Sequence, residues 1–541
     1  MKLKKYLSGV NKEMDHYDII IIGSGAGGGT LALALALTGK RILILERGGF
    51  LPREKENWEA KAVFLNNRYK TEELWYDKEG KPFRPGTHYY VGGNTKVYGA
   101  ALLRLRKEDF EEMRHYAGIS PKWPLSYEDF QPYYLLAEQL YYVHGQRGID
   151  PTEPPEKSPF FYPPLPHEKR VQEIFDGMKK KGLHPFPLPL GLLRNETKPE
   201  KSPCIRCDTC DGFPCLVDAK ADSQITCINR ALQFPNVTLL THTKALRLEP
   251  SSQGGSIQYI EVERENKKEK YSGDLFIVSC GAVNSAALLL KSMHSKYPSG
   301  LANSSGLVGR NYMCHINSAM IAFSKTLNET FFEKTFGLND FYFGAPDWNY
   351  PLGHIQLLGN VKKDMLKSDA PFFTPNKVLE TMANHAVGWW ISSEDLPDPE
   401  NRVVLTENGH IGLHYTLRNQ EGHFKLIKRL KGILKEVDHT LGASPSFFFS
   451  KLMSIAAVAH QVGTCRFGQD PRTSVLDLNC KAHDLDNLYV VDGSFFPSSA
   501  AVNPALTIIA NALRVSDAIA QRLKCPQVPT EQLKGALHGK D

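Results

Sequence analysis

The stretch from Asp18 to Arg47 constrains the fold more than any other. It runs from an apolar segment (DIIII) through a glycine-rich turn (GSGAGGG) and an Ala/Leu-rich helix (TLALALALT) to a stop at Gly39 and a second apolar segment (RILILE). Such a succession is a β-α-β unit. Within it Gly23, Gly25 and Gly28 form a G-x-G-x-x-G run that follows a strand and opens a helix, with Glu46 closing the next strand. Gly23 permits the tight turn, Gly25 lets the backbone approach a pyrophosphate, and Gly28 lets helix and strand pack closely. The helix N-terminus then faces the phosphate charge. Glu46 is expected to hold the adenine ribose hydroxyls, and Ser24, Ala26 and Arg47 to line the same nucleotide site.

Composition excludes several other classes. Lys and Arg number 65 against 59 Asp and Glu in 541 residues, a net charge of +6 with no basic stripe, so nucleic acid is not an expected partner. Apolar runs such as Leu31 to Leu37 fall short of the roughly 18 residues of a membrane span, and nothing is expected to cross a bilayer. Residues 1–15 read as a polar tail, because Asn11, Lys12 and Glu13 interrupt any apolar signal region. Ten cysteines, six of them scattered, fit a reducing cytoplasm.

A chain of this length implies two domains. The pattern predicts an α/β fold in which a Rossmann-like nucleotide domain (15–115, 217–318 and 455–525) joins a substrate domain with an antiparallel sheet and helices (116–216 and 319–454). Proline-dense residues 150–166 mark a surface connection. A helix is expected over 218–233, strands at Val237 to Leu240, Ala245 to Leu248 and Ile257 to Val262, and a strand-turn-helix at DLFIVSCGAVNSAALLLKS. Residues 318–415 read as a mostly antiparallel sheet whose last two strands meet at the turn Asn408-Gly409. Helices are expected at HFKLIKRLKGILKEVDHTL and ALTIIANALRVSDAIAQRL, with a strand at NLYVV before the latter.

The β-α-β unit alone does not separate NAD from FAD, since both carry the same ADP half. The C-terminal region bears on the choice: a strand ends at Asp492-Gly493, and Asn503-Pro504 opens a helix whose N-terminus could stabilise negative charge on a reduced flavin. At this point the chain resembles the glucose-methanol-choline (GMC) oxidoreductases. The motifs that carry the resemblance are GSGAGGG with ERGG, YVGGNTKVYGA, SCGAVNSAALLL, GLVGRNYMCH, and HQVGTCRFG with NLYVVDGSFFPSSAAVNPALTI, in that order across the whole chain.

The resemblance implies a bound FAD and oxidation of an alcohol to a carbonyl by hydride transfer to flavin N5. It implies that His460 is the catalytic base and that Asn503 stands at the second active-site position, hydrogen-bonding the same substrate oxygen. A neutral imidazole suits that task, because its ordinary pKa lies near 6.5. Gly92 and Gly93 would let the backbone pass close to the isoalloxazine, with Asn94 and Thr95 as polar contacts. Ala245, Asp492, Gly493, Pro504 and Thr507 complete the expected cofactor set. Members that attach flavin covalently carry a histidine where this chain has Lys96, Val97 and Tyr98, so non-covalent FAD is expected.

Cys204, Cys207, Cys210 and Cys215 resemble an iron-sulfur run, but the last spacing is one residue too long and the proline precedes Cys215. A cluster or zinc site is the less favoured alternative to reduced thiols or a local disulfide, so no metal is expected. Trp389 and Trp390 should point to opposite faces of a strand, so at most one can stack on a substrate beside His354 and Gln356, and core packing is the more expected role for either. The expected substrate is a small alcohol, most simply a sugar, polyol or glycoside, with the electron acceptor left open. The alternatives are an FAD-containing lyase without redox turnover and a nicotinamide dehydrogenase.

Overall fold

The computed structural model describes residues 14–371, 373–440, 447–525 and 529–538, so the tail expected over residues 1–15 lies almost wholly outside the described residues. Strands β1 (His16–Ile22) and β2 (Ile42–Leu45) flank helix α1 (Ala26–Ala36). Ile19 to Ile22 and Ile42 to Leu45 are at most 3% exposed. These strands are apolar at consecutive positions because both faces of the sheet are covered. Each such side chain contributes about 1.5–3 kcal/mol of burial.

Along the chain follow α2 (Tyr127–Leu140), α3 (Lys169–Lys180), β3 (Val237–Leu240), β4 (Thr243–Pro250), β5 (Ile257–Arg264), β6 (Lys267–Val278) and α4 (Ala282–Lys291). The remainder contains β7 (Ile316–Phe323), β8 (His354–Leu357), β9 (Ala386–Ser393), α5 (Gln420–Thr440), β10 (Phe447–Leu452), β11 (Leu488–Val490) and α6 (Ala505–Arg522). The first sheet has the order β3-β2-β1-β6-β5-β4, with β11 also beside β6. Strands β3, β2, β1, β6 and β11 are parallel, while β6, β5 and β4 form antiparallel pairs. Segments near residues 20, 275 and 489 thus lie side by side.

The second sheet is antiparallel. Its order is β10-β7-β9-β8, followed by short strands Phe336–Leu338 and Phe186–Pro187. The hairpin around Asn408-Gly409 forms, with strands Arg402–Leu405 and Ile411–His414, but it joins Trp75–Tyr76 and Pro82–Phe83 in a separate four-stranded sheet. A parallel bridge from Gly412 to Tyr76 draws it there. The regular helix expected over 218–233 is instead a π-helical turn, Gln224–Ile228, continuing into Asn229–Ala231.

Two apolar cores result. The larger surrounds the first sheet and includes α2, whose Tyr134 hydroxyl meets Thr507 Oγ1 of α6 at 2.8 Å. The domain boundary expected at 116 therefore does not coincide with the edge of this core. The smaller core lies between one face of the second sheet and helices α3 and α5, with Ile355, Leu357, Trp389 and Ile391 from the strands and Leu426 and Leu430 from α5. By alternation His354, Gln356 and Trp390 occupy the opposite face, Gln356 directly across from Trp390.

Candidate active site

The nucleotide loop is organised around one buried carboxylate. Glu46 accepts from Ser24 N–H at 3.1 Å, Ser24 Oγ at 2.6 Å and Gly48 N–H at 3.0 Å. Burial raises its pKa, against the pull of these donors. Gly23 takes φ +102°. A Cβ at Gly28 would stand 2.1 Å from the Gly23 carbonyl oxygen, and one at Gly27 2.0 Å from the Val491 carbonyl oxygen just beyond β11. Gly27 is therefore a second close-packing glycine, which the G-x-G-x-x-G pattern does not mark. Gly25 differs: its φ is −69° and a Cβ there would meet nothing within 4 Å. That open volume lies at the N-terminus of α1, beside Ala26, where a pyrophosphate can be cradled by backbone N–H groups.

The segment Gly92 to Thr95 sits directly on this loop. Gly92 N–H donates to Ser24 Oγ at 3.1 Å, and a Cβ on Gly93 would lie 3.2 Å from Gly25 Cα. Asn94 Nδ2 donates to the Gly86 carbonyl and its Oδ1 accepts from His88 N–H. Thr95 Oγ1 donates to the Gly92 carbonyl and accepts from Ser223 N–H. Ser223, absent from the expected set, also donates from Oγ to the carbonyls of Ser24 and Gly25. It joins the two halves of the site, and no local pattern signals it.

Several other expected cofactor residues also have partners within the protein. Arg47 pairs with Glu73 at 3.2 Å and stacks on Tyr89. Asp492 receives Gly281 N–H, Ser494 N–H and the hydroxyls of Ser285 and Ser494, so its carboxylate locks α4 to the loop after β11. Gly493 lets that loop approach the Gln461 carbonyl, which a Cβ would meet at 2.7 Å. The Thr507 hydroxyl meets that of Tyr134 on α2 at 2.8 Å. Ala245 lies half-buried on β4, two residues after Thr243, whose N–H bonds the Glu46 carbonyl.

The two expected catalytic side chains do come together. Short strands Met313–Cys314 and Gln461–Val462 are antiparallel, with Cys314 opposite Gln461. Continuing that register by one residue sets His315 against His460. Their Nδ1 atoms are 3.0 Å apart, with rings crossing at 80°. His460 Nε2 lies 3.4 Å from Asn503 Nδ2, and Asn503 directly precedes Pro504 and α6. Burial first, and then the neighbouring His315, Lys334 and His354, push the His460 pKa well below its ordinary value. The imidazole is neutral and can accept a proton. His315 ends the motif GLVGRNYMCH, the sequence signal from which it could have been found.

Cys204, Cys207, Cys210 and Cys215 are free thiols, and among the described residues no group of three or more His, Cys, Asp or Glu is placed to hold a metal ion. Burial raises the Cys204 thiol to about 11. The buried Lys220 ammonium ties the loop by donating to the carbonyls of Cys210 and Phe213, each at 2.7 Å. Asp211 then reaches Lys334 at 2.7 Å, and both groups occupy the space that a Cβ at Gly99 would need.

A nucleotide cradle at the N-terminus of α1 and a half-buried, neutral imidazole beside an amide are what a dinucleotide-dependent oxidoreductase requires. Two family models described as GMC oxidoreductase match residues 17–317 and 433–512, and the chain belongs to that family. It is an FAD-dependent oxidoreductase acting on CH–OH groups, and the open cradle at Gly25, the Glu46 hub and the Gly93 contact fit that cofactor. The chain is 29% identical over 94% of its length to 6'''-hydroxyparomomycin C oxidase of Streptomyces lividus (92% of that protein), and 28% identical over 93% to paromamine 6'-oxidase of Streptomyces fradiae (91%). It is 24% identical over 94% to the fructose dehydrogenase large subunit of Gluconobacter japonicus, of which it covers 98%. These are oxidases and a dehydrogenase, which gives the lyase alternative no support. Among solved structures, pyridoxine 4-oxidase from Mesorbium loti superposes with a TM-score of 0.62 at 16% identity, covering 93% of this chain and 99% of that one. Formate oxidase of Aspergillus oryzae superposes with 0.64 at 14% identity, covering 94% and 99%. Both share the fold. Among the described residues no helix is long and apolar enough to cross a membrane.

Proposed function

We propose that the protein oxidises a hydroxyl of a sugar, polyol or glycoside, with His460 as the base that takes the hydroxyl proton. Bound FAD supplies the acceptor, N5, for the hydride that leaves the same carbon. The observation that carries this is the placement of His460 Nε2 beside Asn503 Nδ2 in a pocket where burial keeps the imidazole neutral. Two groups converging on one substrate oxygen fix the orientation that hydride transfer requires. The polar sheet face bearing His354, Gln356 and Trp390 supports a polar substrate. So does the sugar-derived chemistry in the names of the relatives. Lys96 is held in a buried pair with Asp222 at 2.9 Å and Tyr98 bonds the Ala221 carbonyl, which supports dissociable FAD.

The test is an anaerobic panel of paromamine, D-fructose, D-gluconate and 2-methyl-1,2-propanediol, read by loss of the visible flavin absorbance and followed by dioxygen or a quinone. Bleaching by a sugar-like alcohol is expected. A flavin that none of these reduces, yet dithionite does, would overturn the substrate class.

A further inference from the structure

We propose that His315 is a positioning residue that fixes the tautomer of His460, and that the loop 499–503 closes this arrangement at both ends. His315 matters in this way only if His460 is the base, as proposed above.

The argument starts from an atom with a single possible role. The Ser499 carbonyl can only accept, and it lies 2.9 Å from His315 Nε2, so that nitrogen carries the hydrogen. His315 is 1% exposed, and burial lowers its pKa despite the Ser499 carbonyl and the charge of Glu394, so the ring is neutral and its Nδ1 is a bare acceptor. That acceptor is 3.0 Å from His460 Nδ1. The contact is attractive only when His460 Nδ1 bears hydrogen, and in a neutral ring this leaves His460 Nε2 bare. Nε2 is the atom beside the Asn503 amide. One backbone carbonyl, acting through two imidazoles, thus decides which nitrogen faces the substrate. When that nitrogen takes the substrate proton, the His460 cation keeps a hydrogen-bond acceptor at Nδ1.

The loop that supplies both ends is itself braced. Ala500 holds φ +52°, and its N–H donates to Glu394 Oε1 at 3.2 Å. Glu394 also takes the Ser120 hydroxyl at 2.7 Å and stands 2.9 Å from His115 Nε2. Although burial opposes it, these partners hold the Glu394 carboxyl below its ordinary value. Of the titratable groups that face His460, burial keeps His315 and His354 neutral, and Lys334 is paired with Asp211 at 2.7 Å. Among the described residues no carboxylate touches His460, and its Nδ1 meets His315.

The test uses the oxidised holoenzyme labelled with ¹⁵N-histidine, with the His460 signals assigned by their loss in His460→Ala. The expected spectrum shows His460 Nδ1 protonated and Nε2 bare. In His315→Leu this assignment should be lost, and flavin reduction by the best alcohol of the panel should slow by roughly 10²-fold to 10⁴-fold with FAD retained, the range seen when a catalytic histidine is left in the wrong tautomer or a base is removed. His315→Asn keeps an acceptor, Oδ1, near the position of Nδ1, and should restore the rate to within about tenfold of wild type. A wild-type spectrum with His460 Nε2 protonated overturns the proposal whatever the variants do. So does a His315→Asn variant as slow as His315→Leu, which would make the ring's volume its only contribution. An active His460→Ala refutes the base assignment instead, and leaves the tautomer result to be judged on the spectrum alone.

Discussion

Gly25→Val should remove FAD while leaving the protein folded. The backbone at Gly25 is ordinary, with φ −69°, and a side chain there meets no protein atom within 4 Å. Replacing glycine at such an N-cap changes stability by a few tenths to about 1 kcal/mol, a melting shift on the order of 1–3 °C. The valine methyls instead fill the space beside the α1 N-terminus that a pyrophosphate needs. Losing two charge-assisted hydrogen bonds there, at about 1.5–3 kcal/mol each, weakens FAD by roughly 10²-fold to 10⁴-fold. Gly28→Ala makes the contrast, since its Cβ would lie 2.1 Å from the Gly23 carbonyl oxygen and must move the backbone. The assays are thermal melting and titration of the apoprotein with FAD, followed by flavin fluorescence. A Gly25→Val protein purified with full FAD and wild-type affinity would refute the placement of the pyrophosphate.

His460→Ala should retain FAD but reduce it about 10²-fold to 10⁴-fold more slowly in anaerobic stopped flow; reduction at the wild-type rate would end the case for His460 as base. Asn503→Ala should also slow reduction, and the double variant should be less than additive, because both groups act on one hydroxyl. Since the His460 pKa lies below 6.5, the base form persists at and above that pH and is lost only as pH falls further. The acid limb of the reduction rate should therefore have its midpoint below pH 6.5, and a midpoint above it would contradict the assigned environment. Glu46→Ala strands three donors on Ser24 and Gly48, so apoprotein stability should drop together with FAD affinity. An apoprotein melting at the wild-type temperature would show that the carboxylate serves the cofactor alone.

Features set by neighbours in sequence are legible in the sequence itself. The β-α-β unit, the Asn408-Gly409 hairpin and helix α6 all announce themselves through periodicity and turn residues. Gly23 and Gly28 were legible for the same reason, because their constraints lie within the loop. What escaped depends on distant partners. Glu46 holds the loop through Ser24, which lies 22 residues away, and His315 meets His460 across 145. Thr507 sits on the expected helix, but its hydroxyl direction was set by Tyr134, 373 residues earlier. The π-helical turn at Gln224–Ile228 was also beyond local propensity, since the preceding Ser223 is pinned to the carbonyls of Ser24 and Gly25.

The interleaving of β1, β6 and β11 has a consequence for biosynthesis. Residues 16–45 leave the ribosome with all four residues of Ile19 to Ile22 requiring neighbours on either side, yet β6 follows more than two hundred residues later and β11 later still. At 5–20 residues per second, roughly 20–90 s separate β2 from β11. During that interval an apolar parallel strand waits without its full cover, and the carbonyl of Val491 against which Gly27 packs does not yet exist. The packing of Gly27 is therefore complete only after the strand at Leu488–Val490 has been synthesised.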